Sequence, residues 1–179
     1  MRRDARENRE RILAAAEQVF GEAGAAGSTE EVARRAGVGV GTVFRHFPNK
    51  RELIDATLVR HFQLLTEQAS RVAAAAEPGA ALRAVLEAMV ASAGTKVTLL
   101  AALGHEVEAS VALRQAAREL RAVVESALVR AQRAGAARRD ISVGELYLLV
   151  RALAQVAVAQ EASTVRGALK VVLDGLARL

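Results

Sequence analysis

The sequence predicts an all-α protein of about nine helices, and three observations carry that prediction. Only two prolines occur in 179 residues, apolar residues recur at helical spacing from Ile12 onward, and no stretch alternates with the period of two that a half-buried strand requires. The hydrophobic content of 52% supports a substantial core and excludes disorder as the main state. Cysteine is absent, which excludes a disulfide framework, a thiol nucleophile and any cysteine-ligated metal site. No run free of Asp, Glu, Lys and Arg exceeds nine residues, so no membrane span is expected, and Met1 to Arg6 does not lead into the apolar region of a signal peptide. The expectation is a soluble, cytoplasmic protein.

Taken in order, Ile12, Leu13, Ala16, Val19 and Phe20 form the apolar stripe of a first helix, which the glycines Gly21, Gly24 and Gly27 end. Ser28 and Glu31 have capping-box spacing and open a second helix through Val32, Ala33 and Ala36 to Gly37. After a short turn of Val38 and Gly39, a third helix runs from Val40 to Phe47 and stops at Pro48. Asn49 and Glu52 repeat the capping-box spacing at the start of a long fourth helix. Glu77-Pro78-Gly79 reads as a loop, and Gly94, Gly104 and Gly135 as helix ends. The remaining helical segments are Ala80 to Ala93, Val97 to Leu103, Val111 to Ala134, Val143 to Gln160 and Thr164 to Leu179, with a third capping box at Ser142 and Glu145. There is no internal repeat, low-complexity tract or flexible linker.

Charge becomes informative once it is located. From Val32 to Arg51 there are five basic residues, Arg34, Arg35, Arg45, Lys50 and Arg51, and no acid, while the rest of the chain sums to zero. A short basic stripe on a neutral protein suits a local polyanion site, and equally a solvated charged face. The stripe coincides with two helices joined by a tight glycine turn, the layout of a helix-turn-helix, although an ordinary helical hairpin has the same spacing. In the third helix Val43 and Phe47 point together toward the core, while Gly41, Thr42 and Arg45 share the opposite face. Gly41 has no side chain to hold the backbone away from DNA. Arg45 reaches guanine O6 and N7 or a phosphate, and Thr42 a base edge, a thymine methyl or a phosphate. Lys50 lies in the first turn of the fourth helix, where free N–H groups and the helix dipole attract a phosphate.

The run Val32-Ala33, then Ala36-Gly37-Val38-Gly39-Val40-Gly41-Thr42-Val43-Phe44-Arg45-His46-Phe47-Pro48-Asn49-Lys50, resembles the signature of the TetR family of bacterial transcription regulators. It covers roughly the first third of the chain. The resemblance implies a homodimer whose amino-terminal domains bind a palindromic double-stranded operator and whose carboxy-terminal helices hold a small-molecule inducer. It also implies DNA contacts at the positions of Thr42, Phe44, Arg45, His46 and Lys50. With Val40 and Gly41 opening the same helix, the candidate DNA-contacting set is Val40, Gly41, Thr42, Phe44, Arg45, His46 and Lys50. Three positions depart from the family's pattern. Gly39 stands where a capping Ser or Thr is usual, Phe44 replaces a common Tyr and loses its hydroxyl, and Thr29 occupies a usually apolar position. The expected division is a helix-turn-helix DNA-binding domain at 1–52 and a helical regulatory, ligand-binding and dimerisation domain at 53–179.

In that second part the segment from Val143 is apolar nearly all round (Leu146, Leu148, Leu149, Val150, Leu153, Val156, Val158), and the last helix adds Val165, Leu169, Val172 and Leu176. Such helices form internal core or pack on a second copy. The candidate dimer interface is Leu146, Leu149, Val150, Leu153, Val165, Leu169, Val172 and Leu176. After Phe62 the only aromatic residue is Tyr147, so no aromatic cage is available for a flat or cationic ligand. Tyr147 and Arg151, one turn apart, with Met89, Leu99, Leu103 and His105, form the candidate pocket for a small apolar or amphipathic ligand, against the plainer readings of Arg151 as an ion-pair partner and His105 as a helix-end residue. Three isolated histidines without metal-ligand spacing, and the lack of any Walker or Rossmann glycine pattern, predict no metal, no cofactor and no enzymatic activity. The alternative to a ligand-released regulator is a DNA-bound scaffold controlled by a protein partner.

Overall fold

The computed structural model describes residues 2–104, 109–157 and 160–177. Within them the chain is all helical: α1 (Arg2–Ala23), a 3-10 turn (Gly24–Ala26), α2 (Thr29–Ala36), α3 (Val40–His46), α4 (Lys50–Ala75), α5 (Pro78–Ala91), α6 (Ala93–Leu103), α7 (Val111–Arg133), α8 (Val143–Ala157) and α9 (Ala162–Leu176). The expected order is therefore present, with local differences: Gly21 lies inside α1 instead of ending it, and α6 starts at Ala93 where the sequence predicts Val97. Pro78 and Gly79 are the first two residues of α5, not a loop, because the first turn of a helix needs no N–H from proline. Gly94 lies in the opening turn of α6, which starts at Ala93 just after α5 ends at Ala91, so it stands at a helix boundary as expected. No single helix among the described residues is long and apolar enough to cross a membrane.

Two compact units result, Met1–Phe62 with Thr95–Ala116, and Gln63–Gly94 with Ala117–Leu179. Compactness thus groups residues 53–62 and 95–116 with the amino-terminal helices, whereas the division expected from the sequence at residue 52 counts them with the second part. The fourth helix runs from one unit into the other, which accounts for residues 53–62, and most of α6 with the first turns of α7 accounts for residues 95–116.

In the first unit Ile12 and Phe20 of α1, Val32 of α2, Val43 of α3, Leu53 and Leu58 of α4 and Leu99 of α6 are completely buried in one cluster. Ser28 caps α2 through its Oγ, which accepts from the Glu31 N–H at 3.1 Å. At the other end Gly37 takes φ +65°, so that Val38 N–H reaches the Ala33 carbonyl at 3.0 Å and Gly37 N–H the Arg34 carbonyl at 3.3 Å. This double bond pattern ends α2 and aims the chain into α3. Gly27 is required for a different reason, since a Cβ there would come within 2.7 Å of the Phe20 ring.

α1 and α4 are also joined by charge. Glu17 accepts from Arg60 at 2.9 Å and pairs with His61 Nδ1 at 2.7 Å, and Arg60 also reaches Glu10 at 3.1 Å. His61 is buried and its Nε2 has no partner among the described residues.

The second unit buries Leu82, Val85 and Leu86 of α5, Leu120, Val124 and Leu128 of α7, Leu146 and Val150 of α8, and Leu169, Leu173 and Leu176 of α9. After α7, Gly135 at φ +73° repeats the arrangement at Gly37, with Ala136 N–H on the Ala131 carbonyl at 2.8 Å. Ser142 and Glu145 complete a reciprocal capping box, Glu145 N–H on Ser142 Oγ at 3.2 Å and Ser142 N–H on Glu145 Oε2 at 2.7 Å.

Glu17 is half-buried, and its carboxyl is held below its ordinary value, first by the hydrogen bond with His61 and against the opposing cost of burial. A depressed folded pKa contributes stability above the unfolded value of 4.5, and that contribution is lost as pH falls through the folded pKa. Glu17→Gln is therefore expected to be less stable than the parent by about 1–3 kcal/mol near neutral pH. Urea denaturation at a series of pH values should show a constant gap down to about 5 that narrows below it.

Candidate nucleic-acid interface

The turn at Gly37 presents α3 with Val43 and Phe47 inward and a different side to solvent. Val40 and Phe44, 42% and 43% exposed, flank Gly41 and Arg45, which are exposed as well. Thr42 and His46 are half-buried on the helix flank. The free face is thus centred on Gly41 and Arg45, rotated toward Phe44 and away from Thr42. Gly41 has no heavy atom within 4 Å of an added Cβ, so the backbone there is open to close approach. Arg45 makes no ion pair or hydrogen bond with any described residue, which leaves its full donor set available.

The basic stripe divides once its partners are known. Arg34 holds the Glu31 carboxylate through two bonds, at 2.8 and 2.6 Å, and Arg35 takes the same carboxylate at 2.8 Å. Arg35 also grips Glu22 of α1 at 3.1 and 2.8 Å. The Arg34 and Arg35 guanidiniums hold the Glu31 carboxyl down to about 2, so it is ionised at any neutral pH. Two of the five cations are therefore neutralised locally, by Glu31 and Glu22, which lie outside the Val32–Arg51 segment. Glu31 does not complete the capping box expected of it for the same reason: its oxygens face the arginines.

Lys50 begins α4, and its ammonium donates to the Ala25 carbonyl at 2.6 Å while lying 5.6 Å from the Phe20 ring centroid. It ties the 3-10 turn to the start of α4, with two further N–H donors left over. Asn49 caps that helix, accepting from Glu52 N–H at 2.9 Å and donating to the Glu52 carboxylate at 3.0 Å. Gly39 at the start of α3 supplies no side-chain cap.

Two arginines of α1 adjoin this surface and were missed in the sequence. Arg9 lies 5.3 Å over the Phe47 ring, and Arg11 lies 3.8 Å from a Cβ placed on Gly37. Their signal was diluted, because Asp4, Glu7 and Glu10 are interleaved with the arginines before residue 12.

The other predicted sets are scattered. Leu99 and Leu103 belong to the first unit's core cluster, whereas Met89, Tyr147 and Arg151 lie in the second unit. Met89 is buried, Arg151 is exposed, and His105 falls outside the described residues. Tyr147 Oη is buried with no partner among the described residues; burial pushes the phenol up to about 12, opposed by Arg121, whose guanidinium is 5.0 Å from the ring centroid. Of the interface candidates, Leu146, Val150, Val165, Leu169 and Leu176 are buried by their own chain, Leu153 and Val172 are half-buried, and Leu149 is exposed.

Two family models match. One, for bacterial regulatory proteins of the tetR family, covers residues 12–62, and a second, for the SbtR-like transcriptional regulator C-terminal domain, covers residues 77–178. A solved TetR transcription regulatory protein from Mycobacterium vanbaalenii is 34% identical over 99% of each chain, with a TM-score of 0.82. A TetR transcriptional regulator from Streptomyces coelicolor is 28% identical over 94% of this chain and 98% of its own, with a TM-score of 0.75. An HTH-type transcriptional regulator of Staphylococcus aureus (strain USA300) is 44% identical over 54 residues, a match that spans 30% of this chain and 29% of that relative.

Gly41→Ala separates folding from contact at this face. Alanine is the better helix former by up to about 1 kcal/mol, and the site is open, so thermal stability should rise or hold. Affinity for duplex DNA, measured by fluorescence anisotropy, should fall, because a methyl group then stands where the backbone approaches.

Proposed function

Because the chain belongs to the TetR family of helix-turn-helix transcriptional regulators, not to an enzyme family, we propose that it is a cytoplasmic repressor that binds a palindromic operator as a homodimer and is released by a small ligand. The observation that carries this reading is the solvent face of α3, where Arg45 has no partner among the described residues and Gly41 leaves the backbone bare. Arg45 reads a base edge in the major groove, with Val40 and Phe44 supplying apolar contact to thymine methyls. Thr42, His46 and the remaining donors of Lys50 meet phosphates, and Arg9 and Arg11 extend the backbone contacts from α1. Phosphate contacts set orientation and make binding salt-dependent, while Arg45 supplies selectivity.

Dimerisation is supported by apolar side chains that α8 and α9 leave in water. Leu148 is 69% exposed, Val156 51% and Val171 73%. On α9 Val171 stands between Gly167 and Gly175, neither of which has a heavy atom within 4 Å of an added Cβ. Valine between two bare turns permits close approach of a second helix, and single chains rarely keep so much apolar surface exposed without a partner. The interface is accordingly proposed at Leu148, Leu149, Val156 and Val171, one step around the helices from the buried residues that periodicity alone selected. Two identical reading helices then require an operator with two-fold symmetry.

Selection from random duplexes tests the central reading: an inverted repeat should emerge, and its binding should weaken steeply as salt is raised. An unstructured set of sequences, or affinity indifferent to salt, would overturn it. Arg45→Ala should weaken operator binding by about 1–3 kcal/mol and relax sequence preference. Equal losses on operator and random DNA would assign Arg45 to the backbone instead.

Val171→Glu tests the dimer. The position is largely exposed in the single chain, so the variant should fold, but it should sediment as a monomer because a carboxylate would be desolvated in the seam. A folded, unchanged dimer would place the interface elsewhere.

A further inference from the structure

In the second unit a cavity of about 720 Å³ opens among α5, the end of α8 and α9, within the size range of small-molecule sites. Its apolar wall is Val90 from α5 and Val165, Leu169 and Leu173 from α9, all buried. Ala91 and Ala157 line it with small side chains, and Gly94 adds open space, since a Cβ there would meet no heavy atom within 4 Å. A smaller recess of about 340 Å³ adjoins it, sharing Arg83 and Leu173. The two recesses follow one another along the α5–α9 seam.

The polar side of the cavity is charged. Arg83, Arg166 and Lys170 line it, against the single acid Glu87. Asp174 occupies two of the cations, Lys170 at 2.5 Å and Arg83 at 3.3 Å, and its carboxyl is held low first by Lys170 and then by Arg83. Arg166 has no ion pair or hydrogen bond with any described residue. Counting Glu87 and Asp174 against the three cations leaves one net positive charge, which one carboxylate neutralises and two would overshoot. The cavity also lies on a different side of α9 from the proposed dimer strip. Residues 162, 165, 166, 169, 170 and 173 face the cavity, whereas Gly167, Val171 and Gly175 lie opposite at about 100° per residue.

We infer that this cavity binds an elongated amphipathic monoanion, with Arg166 anchoring the carboxylate and the α5–α9 wall taking an aliphatic body. This deepens the ligand-released regulator proposed above and rests on that reading only for the consequence of binding. The apolar wall alone would accept a neutral alcohol, so charge selectivity is the property that identifies the site.

Titration calorimetry of the full chain without DNA, with probes kept below micelle-forming concentrations, tests the inference. Decanoate should bind saturably, one per chain, about tenfold or more tighter than decanol, decylammonium or decanedioate. Arg166→Gln should cost decanoate about tenfold and leave decanol unchanged, a distinction that general loosening of the fold would not produce. Ala91→Phe fills the cavity from an exposed helix position and should abolish decanoate binding while circular dichroism and the melting temperature stay as in the parent. No saturable heat with decanoate, equal affinity for decylammonium, or parental binding in both variants would overturn the site. Gel shifts on the selected operator test the regulator reading separately: decanoate that binds the protein but leaves the DNA complex intact removes the release mechanism and keeps the site.

Discussion

The helix face that the first unit offers to DNA depends on burying Val43 and the C-cap Phe47 of a helix that has no stability of its own. α3 is seven residues long and starts without a side-chain cap, and so short a helix is not populated in isolation. Its helicity and its orientation come from Val43 and Phe47, which are anchored in the cluster built by α1, α2 and α4. The left-handed turn at Gly37 fixes the direction in which α3 departs, and Phe47 ends it by closing its N–H onto the Val43 carbonyl at 2.8 Å. Since no residue of the outer face takes part in this anchoring, Val40, Gly41, Phe44 and Arg45 are free to vary in chemistry without loss of presentation.

Electrostatics sorts the cations of this unit into two groups with different work. Arg34, Arg35 and Arg60 are held by Glu31, Glu22, Glu10 and Glu17 and fasten α1 to α2 and α4. Exposed pairs of this kind contribute little stability individually, but they keep side-chain directions fixed and remove their charge from the surface field. Arg45 remains outside the network. On the proposed reading, pairing Arg34 and Arg35 with acids reduces nonspecific attraction to phosphate, while the Arg45 guanidinium on the bare face of α3 is kept for a base edge.

The helix-turn-helix was legible because its constraints are local: a small residue at the crossing, glycine where φ is positive, an apolar pair at i and i+4, and capping residues at fixed offsets. The charge stripe was only partly legible. A window beginning at Val32 excluded Glu31 by one residue, and sequence spacing does not reveal that Glu22, on another helix, meets Arg35. The regulatory half resisted for a different reason. α8 is apolar on nearly every side, so periodicity cannot say which stripe its own chain covers, and the candidate residues Leu146 and Val150 are interior while Leu148 and Val156 are exposed. The cavity was invisible for a related cause. It is defined by missing volume at Ala91, Gly94 and Ala157, and by two charged pairs, Arg83 with Glu87 and Arg166 with Lys170, whose i, i+4 spacing reads as an ordinary solvated helix face and whose meeting across two helices leaves no trace in the sequence.

α9 is the element on which the proposed regulatory events converge. One side carries Val165, Leu169 and Leu173 into the cavity wall, and the other presents Gly167, Val171 and Gly175 outward. A helix of 15 residues is stiff on this scale, so on the proposed reading a ligand filling the space beneath one face would displace the other as a unit. Arg83 and Lys170 are already satisfied by Asp174, so an anion recruited by Arg166 need not break an ion pair to enter. Its binding energy is then available to bias the position of α9. A ligand that favours one position of α9 must, by reciprocity, be bound differently by the assembled dimer and by the separate chain. On the proposed reading, ligand affinity and dimer affinity would be linked through α9 alone, inside the second unit.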